Sequence, residues 1–427
     1  MGEFHIEGGH PVSGVIRAAG NKNAALPAIA AALLTDQNVW LRNVPHIGDV
    51  LALLEIVRTL GVSVSWETAN TLRLNAANLD KGKLDEDLCR RLRGSILLVA
   101  PLLLRLRKLS IPFPGGDRIG RRRLDTHLLA LEAMGAEVTV SAEGIAIAAP
   151  RGLHGADIWL DEASVTATEN TVMAAVFADG ETVIYHAACE PHVQELCVLL
   201  NNLGADIEGI GTNRLLVRGV RTLHGGEFTI GADYLEVASL MTLAAVTGGE
   251  MLIEDASPEY MPMILNQFRR IGINGVPEGR NLRVPGGQTL KVVSDFRGAV
   301  PSIDDSPWPA FPADLTSIAL IAATQSEGLV LIHEKMFESR LFFVDQLIEM
   351  GAKIILCDPH RAAVHGRAQL YGSRMVSPDI RAGMALLIAA LCAKGNSVIG
   401  NIVQIDRGYE NIDVRLNALG AKIERVE

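Results

Sequence analysis

Two kinds of helical pattern alternate along this chain. The first is apolar on every side and rich in small residues, as in 24–34, 96–104, 172–177, 238–246, 318–323 and 382–390. A helix with no polar face has to be buried, and small side chains let such helices approach closely. The second is amphipathic and charged on one face, as in 192–203 and 342–350. Short strands such as 183–186 and 329–333 precede these helices.

Each amphipathic helix ends on the same signature, an aliphatic residue and a glycine followed by a strand. The copies are Leu60-Gly61, Met134-Gly135, Leu203-Gly204, Ile271-Gly272, Met350-Gly351 and Leu419-Gly420. Their spacing of roughly 70 residues is too long for a solenoid repeat and suits a small α/β module. The glycine is predicted to stop its helix in the left-handed conformation. Six such modules predict an α/β fold in which three units surround a common axis in each of two domains. The apolar helices would be inside and the sheets outside. The crossover between domains is predicted within 225–233, and the N-terminal strands (4–6, then 14–19) are expected to complete a sheet of the last unit.

Composition narrows the field. Of 427 residues 48% are hydrophobic and 21% charged, which suits a globular chain with large cores. A net charge of −10 speaks against a general nucleic-acid binder. The longest apolar runs are too short to span a bilayer, and the N-terminus lacks a signal-peptide core, so a cytoplasmic protein is expected. Five cysteines without CxxC spacing predict reduced, mostly buried thiols. No metal-ligand spacing appears, and neither a metal nor an organic cofactor is expected.

Candidate chemistry sits where a module departs from what packing needs. Polar residues cluster at the starts of the inner helices, where free backbone N–H groups favour anions: Lys22-Asn23, Arg93-Gly94-Ser95, Ser164 to Asn170, Pro312-Ala313-Asp314 and Pro378-Asp379-Ile380-Arg381. A second set lies in turns: Asp117 to Arg123, Phe337-Glu338-Ser339-Arg340 and Asp406-Arg407-Gly408-Tyr409. Any one of these reads most simply as a cap or a surface ion pair. Jointly, they place cations in both halves of the chain at positions that threefold symmetry would direct to a shared cleft. Such a cleft would hold phosphate and carboxylate groups.

These residues carry a family resemblance that runs over essentially the whole chain. Gly20-Asn21-Lys22-Asn23-Ala24-Ala25-Leu26-Pro27, Leu41-Arg42-Asn43-Val44-Pro45, Pro114-Gly115-Gly116, Glu190-Pro191, Phe311-Pro312-Ala313-Asp314 and Ile405-Asp406-Arg407-Gly408-Tyr409 resemble the UDP-N-acetylglucosamine 1-carboxyvinyltransferases among the enolpyruvyl transferases. The resemblance implies two inside-out α/β barrel domains of three βαβαββ units each. One would be 22–230, carrying a mobile loop 112–123, and the other 1–21 plus 231–427. It also implies transfer of enolpyruvyl from phosphoenolpyruvate to the 3-hydroxyl of the UDP-sugar, with loss of phosphate, in peptidoglycan synthesis.

By the same resemblance, Asp117, Asp314, Lys22 and Arg407 would be catalytic, Asp314 taking the hydroxyl proton. Lys22, Asn23, Arg122, Arg340, Arg381 and Arg407 would hold phosphoenolpyruvate. Arg93, Arg122, Arg123, Leu124, Asp125, Ser164, Val165, Asp314 and Met336 would line the nucleotide-sugar site. Asp117 stands where most members have a cysteine that epoxide inhibitors alkylate. The chain departs from the pattern at Glu162 (lysine in the family), Thr166 (glycine) and Arg123 (proline), with Arg123 a candidate to offset the charge of Glu162. Transfer to another uridine nucleotide such as UMP, or a catalytically silent nucleotide-binding paralogue, are the alternative readings.

Overall fold

The structure is a computed structural model that describes residues 2–80, 84–117 and 119–427. Arg118 of the glycine-rich turn lies outside the described residues. The chain divides into two compact units, one formed by 20–117 and 122–231, the other by 1–19, 118–121 and 232–427. The turn at 112–123 therefore does not belong to one unit throughout, since its middle residues group with the second.

Among the described residues, the first unit carries three sheets. The first has the order Gly226–Thr229, Val39–Arg42, Thr71–Asn75, Ser63–Thr68; the second is Lys108–Ile111, Ile145–Ala148, Glu137–Val140; the third is Asp206–Glu208, Arg214–Arg218, Glu181–Tyr185, Asp157–Trp159. Among the described residues, the second unit carries three four-stranded sheets, whose leading strands are Arg374–Val376, Val276–Glu278 and Ser302–Asp304.

Each four-stranded sheet joins a parallel pair to an antiparallel pair. Asp157–Trp159 pairs in parallel with Glu181–Tyr185, for example, across the helix Val165–Ala175, and Ser302–Asp304 pairs with Gly328–His333 across Thr316–Gln325. This is the βαβαββ module: a parallel crossover through an inner helix, then an amphipathic helix, then the hairpin. The two units are inside-out barrels, with sheets outside and the apolar helices within. Tyr234–Thr247, Thr316–Gln325 and Ile380–Cys392 in the second unit are buried along nearly their whole length.

The helix-end glycines behave alike. Gly61, Gly135, Gly204, Gly272, Gly351 and Gly420 have φ of +94°, +93°, +104°, +84°, +103° and +98°. In every copy the residue after the glycine donates its N–H five positions back, as in Ala205 to Leu200 (2.9 Å) and Ala352 to Leu347 (2.9 Å). That is a Schellman ending, which satisfies orphan carbonyls and turns the chain into the next strand.

The N-terminal strands part company. Glu3–Glu7 lies between Asn396–Gly400 and Ile423–Val426 in the last sheet, as expected. Gly14–Arg17 instead pairs in parallel with Met251–Glu254, in the fourth module's sheet. Gly226–Thr229 likewise runs back to join the first module's Val39–Arg42. The first strand of each unit thus comes from a distant part of the chain, which no local pattern specifies. Cys89, Cys189 and Cys197 are buried, whereas Cys357 is exposed.

Candidate active site

In the first unit, Lys22 opens the inner helix Lys22–Ala31, and Asn21 caps it by accepting the Asn23 N–H at 2.8 Å. The preceding glycine has no alternative: a Cβ on Gly20 would sit 1.8 Å from the Asn43 carbonyl oxygen. The Lys22 ammonium is largely buried and donates to Asp49 Oδ2 at 3.1 Å. Asp49 lies in the first turn of the amphipathic helix Gly48–Thr59. In the sequence it reads as an ordinary helix-start acid, and only the fold makes it the counter-ion of Lys22.

Arg93 opens the turn Arg93–Leu98 and donates from Nη2 to the carbonyls of Arg122 (3.0 Å) and Arg123 (3.1 Å). It therefore anchors the C-terminal end of the glycine-rich turn. Burial, and next the charge of Arg122, pull the Arg93 pKa down to about 10. The other end of the turn is packed as tightly. Gly115 donates to the Cys89 carbonyl at 3.1 Å, and a Cβ there would lie 1.7 Å from the Arg90 carbonyl oxygen. Gly116 has φ of +105°. Asp117 follows these two glycines and is half-buried.

Arg123 does not offset Glu162. It pairs with Asp161 Oδ2 (2.5 Å) and Asp125 Oδ2 (3.2 Å), and Asp161 also accepts the Thr126 hydroxyl at 2.6 Å. The charge of Glu162 acts instead on Arg93, whose pKa it raises against the effect of burial. Leu124 is half-buried and Asp125 exposed beside this cluster. Ser164 caps Val165–Ala175, accepting the Ala167 N–H at 3.5 Å, so Val165 is the first residue of that helix.

Thr166 is used inwards. Its hydroxyl lies 3.1 Å from His127 Nε2, and the Asn170 amide lies 3.0 Å from His127 Nδ1. Asn170 Oδ1 accepts the Ala100 N–H, so its NH2 faces the imidazole, which makes Nδ1 the acceptor and Nε2 the protonated nitrogen. This network was not legible in the sequence, where His127 looks like any residue of an amphipathic helix. Burial, with the charge of Arg93 second, drives the His127 pKa from 6.5 down to about 3. An unfolded chain binds a proton there that the native one refuses. Stability is therefore full above pH 6.5 and is lost as the pH falls towards 3. The expected contribution to the slope is at most about 1.4 kcal/mol per pH unit. Thermal unfolding across this range should show a shallower acid dependence for His127→Gln than for the wild type, and equal slopes would remove His127 from the account.

In the second unit, Asp314 sits in the turn Ala313–Leu315 that leads into Thr316–Gln325. Arg340 donates to its Oδ1, and Arg381 Nε donates to its Oδ2 at 3.1 Å. Both guanidinium groups are buried, with side chains 7% and 5% exposed against 28% for the carboxylate. Asp314 is thus the accessible member of a buried ion cluster. Asp379 caps the helix by accepting the Arg381 backbone N–H at 2.8 Å, and the Arg381 guanidinium donates to the Tyr409 hydroxyl at 3.3 Å. The Arg340 guanidinium lies 5.3 Å from the Phe337 ring centroid.

Arg407 closes the short helix Val403–Asp406 and donates to Gln404 Oε1 at 2.7 Å. Its neighbour Asp406 is taken by a two-pronged ion pair with Arg425 at 2.8 and 2.9 Å. Met336 is 39% exposed, and its N–H donates to Asp305 at 3.3 Å.

A cavity of about 820 Å³ in the first unit lies away from all these residues. It is at the far ends of the inner helices, by Leu34, Leu104 and Phe177, and Arg105, Arg107, Arg151 and Arg221 line it. Helix C-termini carry partial negative charge, which those arginines complement.

Cations and carboxylates gather at the starts of the inner helices in two inside-out barrels, and the family match gives the class: a carboxyvinyl transferase. Residues 6–416 match the family described as EPSP synthase (3-phosphoshikimate 1-carboxyvinyltransferase). Solved structures agree on the fold. The enolpyruvyl transferase NikO from Streptomyces tendae superposes with a TM-score of 0.87 at 23% identity, covering 100% of this chain and 99% of its own. EPSP synthase from Acinetobacter baumannii gives 0.75 at 18%, with both chains fully covered.

Proteins named UDP-N-acetylglucosamine 1-carboxyvinyltransferase are far more similar in sequence. That of Bradyrhizobium diazoefficiens is 55% identical over 99% of this chain and 98% of its own. That of Treponema denticola is 53% identical over the full length of both. The chain belongs to the UDP-N-acetylglucosamine 1-carboxyvinyltransferase family. Among the described residues, no helix is long and apolar enough to cross a membrane.

Proposed function

We propose that this enzyme transfers the enolpyruvyl group of phosphoenolpyruvate to the 3-hydroxyl of UDP-N-acetylglucosamine and releases phosphate. The observation that carries the reading is Asp314 held between Arg340 and Arg381, a carboxylate positioned at a helix start where an anionic substrate would also be held. In the addition step the hydroxyl oxygen bonds to C2 of phosphoenolpyruvate. The hydroxyl proton passes to Asp314, and Asp117 supplies a proton to the C3 methylene. In the elimination step the Asp117 carboxylate takes a proton back from C3 as the C2–O bond to phosphate breaks, and the proton held by Asp314 leaves with the phosphate. Lys22, Arg122 and Arg407 meet the charge that develops on the leaving group.

Two of the three family departures are used within the protein and call for no other acceptor. Thr166 is committed to His127, and Arg123 to Asp161 and Asp125, so neither needs to be explained by a different ligand. The test is phosphate release from phosphoenolpyruvate with UDP-N-acetylglucosamine, UMP, UDP-glucose and shikimate 3-phosphate as acceptors. Fast release with UDP-N-acetylglucosamine alone is expected. Release with UMP alone would overturn the acceptor, and nucleotide binding without release would make the chain a silent paralogue.

A further inference from the structure

Two acids that this mechanism does not use lie buried beside Arg340. Asp305 and Glu334 are 1% and 0% exposed and follow directly on the parallel strands Ser302–Asp304 and Gly328–His333. Asp305 accepts the N–H groups of Lys335 and Met336, the latter at 3.3 Å. Glu334 Oε1 accepts the Phe337 N–H at 3.2 Å. Between them, the two carboxyl groups hold three successive N–H groups of the turn that delivers Met336, Phe337 and Arg340. Glu334 Oε2 is buried and completes no well-formed hydrogen bond among the described residues, although Asp305 and the Thr316 hydroxyl stand next to it.

Two adjacent carboxylates in such a place need a cation. The cation whose charge reaches Glu334 is Arg340, and its Nη2 is engaged by Asp314. The other ionisable neighbours turn away. Lys335 and His333 face Asp304, at 3.0 and 3.9 Å, on the solvent side, and His360 directs Nδ1 to the Glu334 carbonyl oxygen at 2.7 Å. A single proton between the two acids resolves the conflict, because it removes one charge and turns Glu334 Oε2 into a donor.

We propose that Asp305 and Glu334 are positioning residues that share one proton, Glu334 as carboxylic acid and Asp305 as carboxylate, and that this proton leaves Arg340 free to hold Asp314. The inference rests on the proposed role of Asp314 and Arg340. Burial first, and the charge of Asp305 next, raise the Glu334 pKa to about 8. Above that pH a second anion forms under the turn and competes with Asp314 for Arg340.

The test is the pH profile of phosphate release together with the infrared spectrum of the full-length enzyme. Relative to Glu334→Gln, the wild type should show an additional protonated-carboxyl band at pH 7 that disappears as the pH passes about 8, with wild-type turnover falling roughly tenfold over the same range. Glu334→Gln keeps the donor and cannot ionise. It should lack the band, match the wild type at pH 7 within about threefold, and hold its activity to higher pH. Glu334→Ala should lose activity at every pH while still folding, as circular dichroism will report.

An unchanged band in Glu334→Gln, or the same alkaline loss of turnover in that variant, would overturn the proposal. If instead no acceptor supports phosphate release, the functional reading fails, and the infrared band still decides whether the proton is there.

Discussion

Asp314→Asn is expected to lower phosphate release by about 10²- to 10⁴-fold with nucleotide affinity little changed. The amide cannot take the acceptor's proton, so the loss should fall on turnover. The substitution also removes an anion that engages both Arg340 and Arg381 through hydrogen bonds. Because the carboxylate is 28% exposed, water can partly replace it, and a stability loss of about 1–3 kcal/mol is expected rather than the larger cost of breaking a fully buried pair. Turnover and calorimetric binding should therefore be compared well below the variant's melting temperature. Phosphate release near the wild-type rate would remove Asp314 as the base.

Asp117 carries the second large expectation. Asp117→Asn should also lose about 10²- to 10⁴-fold in turnover, because the amide cannot supply the proton that C3 requires. Binding of the nucleotide should survive. The wild type should resist epoxides that alkylate the cysteine of its relatives, since a carboxylate is a poorer nucleophile than a thiolate. Asp117→Cys should regain both the covalent adduct, found by peptide mass mapping in 112–123, and the sensitivity. The two glycines before it fix the chain against the Arg90 carbonyl and at φ of +105°, so the substituted side chain should occupy the place of the aspartate. An adduct on the wild-type loop, or near-normal turnover of Asp117→Asn, would contradict this assignment.

Those two residues stand out in the sequence for local reasons: one sits on a glycine turn and the other at the start of an apolar helix. The same is true of the modules themselves. Whether a helix is apolar all round, and whether a glycine must take positive φ to end it, are properties of a few consecutive residues. The left-handed backbone of Gly204 and Gly351 follows from their immediate neighbours, a helix on one side and a strand on the other.

Partnership is different. Gly14–Arg17 shows that a strand is required but not which sheet it joins, because edge N–H and C=O groups are alike in every strand. Arg123 looks available for Glu162 and is held by Asp161 and Asp125 instead. Asp49 finds Lys22, His127 finds Thr166 and Asn170, and Asp305 meets Glu334 only because strands and helices far apart in sequence end at the same place. Local residue patterns fix which segments are buried, where they stop and where charge gathers at helix starts. Which charges neutralise one another is settled by the packed fold. Ion pairing and desolvation depend on distances of a few ångströms, and packing of the whole unit sets those distances.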